Sequence, residues 1–229
     1  MNIAGLQKMT LLDFPGRIAC TVFLPGCNLR CPFCHNASLV LPEREKDIIT
    51  QDALLEFLSS RKKKLDGVCV TGGEPTLYID LPELLSSIKD MGFQVKLDTN
   101  GTNPEMLKQI LDDGLCDYVA MDIKNSPQKY IATCGGIDVL ERAKESAALL
   151  MDGTTEYEFR TTVMHPFHSP EDLQKIGQWL QGAKRYFIQN FVDSGDLLSP
   201  GNEALTENEM KDLLIAVQEY IPNAQLRGL

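Results

Sequence analysis

Six apolar runs of strand length recur along this chain: RIACTVFL, DGVCVTGG, FQVKLDTNG, DYVAMDIK, EYEFRTTVM and RYFIQNF. Stretches with helical spacing separate them, and this alternation constrains the fold more than any other feature. Most of the runs are nearly continuous in apolar residues and lack a polar residue at every second position, the pattern of parallel strands covered on both faces. Parallel neighbours need crossovers, which the intervening helical stretches supply as right-handed βαβ units. Thr50, Asn103, Ser169 and Thr206 are the expected N-caps, and Gly92, Gly114, Gly153 and Gly182 the expected stops. The architecture is therefore α/β, either an open doubly wound sheet or a partial barrel, and periodicity alone does not choose.

With 229 residues, 43% of them hydrophobic, the chain is long enough to bury a sizeable core. It shows no linker, low-complexity segment or internal repeat. We expect one domain over 1–229, with a core over about 15–195 and a C-terminal helix over about 205–221. Lys and Arg total 22 against 32 Asp and Glu, a net charge of -10, which argues against nucleic acid as a partner. The one basic run, Arg61 to Lys64, reads as the solvated end of a helix. No apolar run approaches the ~20 residues of a membrane span, and the N-terminus lacks the core of a signal peptide. The expected location is cytoplasmic, with no membrane partner.

The cysteines narrow the chemistry. There are seven, an odd number, and three crowd into CNLRCPFCHN as Cys27, Cys31 and Cys34. That is the usage of a reducing compartment with one metal site, not of a disulfide framework. Gly26 before the cluster and Pro32 inside it favour a loop over a helix. Three ligands from one loop leave a coordination position open, whereas a structural zinc wants four protein ligands and an electron-transfer [4Fe-4S] cluster normally takes four cysteines. His35 is the only candidate for a fourth zinc ligand, but it directly follows Cys34 and is poorly placed to reach the same metal. A dithiol reading of CPFC leaves Cys27 idle. The other unusual residues, GGEP, DTNG, MDIK and QNF, follow later strands, so all would lie at the C-terminal rim where α/β folds build their sites.

CNLRCPFCHN resembles the CxxxCxxC loop of the radical S-adenosylmethionine enzymes, including the aromatic Phe33 before the third cysteine. TGGEP at Thr71 to Pro75, LDTNG at Leu97 to Gly101 and MDIK at Met121 to Lys124 extend the resemblance from about Pro15 to Phe191. It implies a partial (β/α)6 barrel, one [4Fe-4S] cluster on Cys27, Cys31 and Cys34, and S-adenosylmethionine at the open iron. One electron would then yield a 5′-deoxyadenosyl radical. By the same resemblance Phe33 and His35 contact the cofactor, Gly72, Gly73 and Glu74 receive its methionyl group, and Gln189 or Asn190 reaches the adenosyl moiety. Asp98, Thr99 and Asp122 would lie near the cofactor and could hold a monovalent cation near the substrate carboxylate, with Lys124 and Arg160 offering positive charge to that carboxylate.

Within this family the chain looks most like the activases of glycyl radical enzymes, and GLQKMTLLDFPGRIACTVFLPGCN and EFRTTVMHP resemble those named for anaerobic ribonucleoside-triphosphate reductase activation. The implied substrate is a glycine Cα on a partner enzyme, and the implied electron donor a flavodoxin or ferredoxin. Cys34 and Thr50 are sixteen positions apart, too few for a ferredoxin-like insertion, so a single cluster is expected. QNF stands where pyruvate formate-lyase activases carry a histidine. Two alternatives remain: a radical enzyme acting on a small molecule, such as a 7-carboxy-7-deazaguanine synthase, and a non-catalytic zinc-binding interaction domain.

Overall fold

The structure, a computed structural model, describes residues 1–34, 36–41 and 48–228. The chain divides into two compact units, one of Met1–Asn28, Ala37–Thr99 and Asn103–Ala120, the other of Leu29–Asn36, Asn100–Thr102 and Met121–Leu229.

The first unit begins with β1 (Asn2–Ile3) and β2 (Gly5–Thr10), the latter antiparallel to β3 (Ala19–Leu24). After α1 (Ala37–Val40), β4 (Ile49–Thr50) pairs antiparallel with β1. Helix α2 (Gln51–Arg61) starts as expected on Thr50, whose hydroxyl accepts from Ala53 N. It leads into β5 (Gly67–Gly72), parallel to β3 from Ala19↔Gly67 to Leu24↔Gly72. A 3-10 turn (Pro75–Leu77) and α3 (Leu81–Asp90) return the chain to β6 (Gln94–Thr99), parallel to β5. Helix α4 (Pro104–Asp112), capped by Asn103, precedes β7 (Tyr118–Asp122), whose last two residues belong to the second unit.

The core of this unit is the pair of apolar stripes that the sequence pattern requires. Val22, Leu24, Val68, Val70, Val95 and Leu97 from the strands are fully buried, as are Leu84, Leu85 and Ile88 of α3 and Leu107 and Ile110 of α4. Each such side chain contributes about 1.5–3 kcal/mol relative to exposure. Gly92 and Gly114 follow their helices with φ 91° and 64°, left-handed stops that a side chain would resist.

In the second unit, α5 (Tyr130–Thr133) and α6 (Leu140–Asp152) lead to β8 (Glu156–Val163). Helix α7 (Pro170–Trp179) follows, then β9 (Tyr186–Asn190), α8 (Glu207–Gln218) and β10 (Gln225–Arg227). Strand β9 is parallel to both β8 and β10. Helix α7 opens on Ser169, whose backbone N–H donates to Asp172 Oδ2 at 3.0 Å, and α8 on a capping box between Thr206 and Glu209. Tyr157, Phe159, Tyr186, Ile188, Leu173, Ile176, Met210, Leu213 and Val217 form its core.

Sequence pattern alone does not reveal β2 or β10. Strand β2 carries three exposed residues and β10 has only three residues. What fixes β10 is a side chain: Arg227 makes a bidentate pair with the buried Glu158, at 2.7 and 2.9 Å, and stacks 3.7 Å from the Phe187 ring. No described helix is long and apolar enough to cross a membrane.

Candidate active site

The cysteine loop leaves β3 as a loop, as Gly26 and Pro32 require. Gly26 has φ 80°, and the turn after Cys31 closes with Cys34 N donating to Cys31 O at 3.0 Å. Cys27 falls in the first unit, Cys31 and Cys34 in the second. Among the described residues, no three His, Cys, Asp or Glu side chains stand at metal-holding spacing. His35 lies outside the described residues.

On the first-unit side, GGEP is built onto the strand end before Cys27. Gly73 N donates to Leu24 O at 2.9 Å and Glu74 N to Gly26 O at 2.8 Å. A Cβ on Gly72, whose φ is 124°, would collide with the backbone of Leu24, and one on Gly73 would collide with the Gly26 carbonyl. The two glycines are thus required by the close approach of the neighbouring backbone. Glu74 is fully buried, and its Oε1 accepts from Thr76 N at 3.1 Å, Thr76 Oγ1 at 2.6 Å and Thr99 Oγ1 at 2.7 Å. In the same unit Asp98 Oδ1 lies 2.5 Å from Lys96 Nζ, a contact the sequence reading missed. Its signal was available: Lys96 and Asp98 are two residues apart on one face of a strand whose opposite face carries Val95 and Leu97.

On the second-unit side, the loop is strapped from the far end of the chain. Leu198 N donates to Cys34 O at 3.2 Å, and Ser199 N and Asn202 Nδ2 donate to Pro32 O at 3.1 and 3.4 Å. Phe33 is 5% exposed and packs edge-on against Phe167 and His168, with centroids 6.0 and 6.4 Å apart. His168, in the loop after β8, is buried. Its Nδ1 accepts from Met164 N at 3.4 Å and its Nε2 lies 2.9 Å from the Lys124 carbonyl. Burial lowers its pKa, favouring the neutral ring.

Lys124 and Arg160, expected to face a substrate carboxylate, both hold Asp122. Lys124 Nζ lies 2.9 Å from Oδ2, and Arg160 Nε pairs with Oδ1 at 2.5 Å. Burial opposes the Asp122 charge, but the two cations outweigh it and hold the carboxyl well below the usual range. Burial likewise opposes the charge of Lys124, and Asp122, followed by Cys31, reverses that effect and raises its pKa. The Asn190 amide is engaged by the Leu205 backbone, at 2.7 and 3.0 Å, while Gln189 pairs in register with Thr162 and Arg227.

The Cys31 environment favours a thiolate. A hydrogen bond from the Cys134 side chain leads the effects that bring Cys31 down to about 7, against burial and with help from Lys124. Burial raises the Cys34 pKa. Behind the loop, Cys134 O accepts from Arg30 N at 3.4 Å, and the fully buried Tyr130 Oη has no hydrogen-bond partner among the described residues. Cys134 stands four positions after Tyr130, which places both on one face of the short α5 turn. Cys20 and Cys116 are buried, and burial raises the pKa of each to about 12.

A three-cysteine loop after β3 in a mainly parallel α/β fold is the arrangement of an enzyme class that binds a metal centre through thiolates. Residues 21–180 match the Radical SAM superfamily, and the chain belongs to it. The match runs through both units. A Methanocaldococcus jannaschii protein named as a glycyl-radical enzyme activating enzyme is 30% identical over 99% of this chain and 96% of its own length. The pyruvate formate-lyase-activating enzyme of Clostridium pasteurianum is 34% identical over 54% of this chain and 52% of its own. Among solved structures, Streptococcus suis SuiB bound to its precursor peptide SuiA superposes with TM-score 0.73 at 17% identity, covering 91% of this chain and 48% of SuiB. The enzyme anSMEcpe with bound AdoMet gives TM-score 0.66 at 20% identity, covering 89% of this chain and 62% of that chain. These likenesses show the fold and accord with the partial (β/α)6 barrel. The relatives place the chain in the activase branch of the superfamily, as a radical S-adenosylmethionine enzyme.

Proposed function

We propose that this chain generates the stored radical of a glycyl radical enzyme, with anaerobic ribonucleotide reductase as the partner and a flavodoxin or ferredoxin as the electron donor. The observation that carries this reading is the similarity to the M. jannaschii protein named as a glycyl-radical enzyme activating enzyme, which runs over 99% of the chain.

In this reading the chain works as one radical S-adenosylmethionine domain, in the cytoplasm. Cys27, Cys31 and Cys34 hold one [4Fe-4S] cluster. When bound, the cluster and S-adenosylmethionine together supply a 5′-deoxyadenosyl radical, which takes a hydrogen atom from the partner's glycine. The chain's own residues prepare the site. The hydrogen bond from Cys134 makes Cys31 available as the thiolate that binds iron. Gly72, Gly73 and Glu74 fix the path of the loop backbone into Cys27. Asp122, clamped by Lys124 and Arg160, presents a carboxylate that stays ionised. Phe33, His35 and Gln189 serve the cofactor's adenosyl end, and the segment at Leu198 to Asn202 holds the Phe33 turn in place.

The test is to reconstitute the protein anaerobically, reduce it, add S-adenosylmethionine and an anaerobic ribonucleotide reductase, and record 5′-deoxyadenosine and electron paramagnetic resonance together. Reductant-dependent 5′-deoxyadenosine with a glycyl radical signal on the reductase is the expected outcome. Cleavage without a radical on that or other glycyl radical enzymes would move the substrate to a small molecule, and zinc in place of iron would end the radical reading.

A further inference from the structure

An ammonium group buried inside a sheet needs a reason. Lys96 lies on β6 with its side chain 2% exposed, and Asp98, two residues on and on the same face, has its side chain 11% exposed. The Lys96 Nζ sits 2.5 Å from Asp98 Oδ1 and 3.8 Å from the sulfur of Cys69, its register partner on β5. Cys69 Sγ is in turn 3.7 Å from Asp98 Oδ1, which closes a triangle of cation, carboxylate and thiol. Pairs of this kind rarely add stability over apolar residues of the same shape, because desolvation consumes the Coulombic gain. Stability is therefore a weak reason for keeping this one.

Asp98, Thr99 and Asp122 are the residues expected to hold a monovalent cation, and none is arranged for one: Asp122 is already held by Lys124 and Arg160. The Asp98 carboxylate already carries an ammonium, and the Thr99 hydroxyl is directed to Glu74 Oε1 at 2.7 Å. An alkali ion at Asp98 Oδ1 would have to displace a cation tethered to the same strand, whose effective concentration no free ion matches, and would then face that cation's repulsion.

We propose that the Lys96 ammonium is the resident cation of the Asp98 carboxylate, standing in place of an alkali ion, so that this chain binds S-adenosylmethionine with no monovalent-cation requirement. The inference rests on Asp98 serving the cofactor, and not on the identity of the glycyl partner.

Binding of S-adenosylmethionine to the reconstituted protein, measured by equilibrium dialysis, tests it. Buffers of equal ionic strength would contain tetramethylammonium chloride alone or potassium chloride. Wild-type affinity is expected to agree within about twofold between them, whereas Lys96→Met should bind about tenfold more weakly without potassium and recover when it is added. Wild-type binding that needs potassium would overturn the proposal, as would a Lys96→Met variant indifferent to both lysine loss and salt. Lys96→Gln, which keeps an N–H donor beside Asp98, serves if the methionine variant does not fold. Asp98→Asn binding like wild type would locate the failure in the role of Asp98 itself. Melting temperatures of the cofactor-free proteins give a second reading, with potassium stabilising Lys96→Met and leaving the wild type unmoved.

Discussion

Gly73 occupies a position where any Cβ would run into the carbonyl oxygen of Gly26, one residue before the first cysteine of the loop. The two backbones are joined there by Glu74 N to Gly26 O at 2.8 Å. Gly73→Ala must push them apart. Overpacking of this kind costs about 1–3 kcal/mol, which in a chain of this size lowers the melting temperature by roughly 2–12 °C. Iron and sulfide content after reconstitution should fall with it, because Cys27 is carried by the displaced segment. Normal iron content in a destabilised variant would separate the glycine's packing role from the cluster.

Asp122→Asn removes the shared partner of Lys124 and Arg160, with an expected cost of about 1–3 kcal/mol near neutral pH. The pH dependence has a definite sign. The folded-state carboxyl lies below its ordinary value, so its stabilisation is complete above about pH 4 and is lost as the pH falls toward the depressed value. Urea midpoints of the two proteins should therefore differ most above about pH 4 and converge at lower pH. A gap that widens on acidification would contradict the assignment.

Cys134→Ala leaves all three loop cysteines in place but takes away the side chain that does most to lower the Cys31 thiol. In the apo protein, titration of thiolate absorbance should show one group moving upward from about 7, and the variant should still take up iron. Cys31→Ala, by contrast, should yield no brown protein and no cofactor cleavage. A Cys134→Ala profile that matches the wild type would remove Cys134 from the loop's chemistry.

What the sequence made legible was what local pattern controls. The six strands and their helices follow from apolar runs long enough to be covered on both faces, and the caps at Thr50, Asn103 and Thr206 from side-chain oxygens placed before helical periods. Strand β2, with its exposed face, and the three-residue β10 carry no such pattern. In the site, the residue types were readable and their partners were not. His168 reads as a loop histidine because the carbonyl that engages it, on Lys124, lies 44 positions away. Arg160 reads as a cation for a substrate carboxylate because its partner Asp122 lies 38 positions away. Lys96 is the exception, since its partner is two residues along the same strand and alternation alone points to it.

Pro32 O receives hydrogen bonds from Ser199 and Asn202, the latter across 170 positions of chain. During synthesis, residues Pro32 to Cys34 therefore leave the ribosome long before Leu198, Ser199 and Asn202 exist to hold them. A nascent chain stalled before these residues would present its thiols on an untethered turn, open to stray metals and oxidants. The holding of the turn that carries these thiols is in that sense a late event in synthesis, because it waits on residues far along the chain.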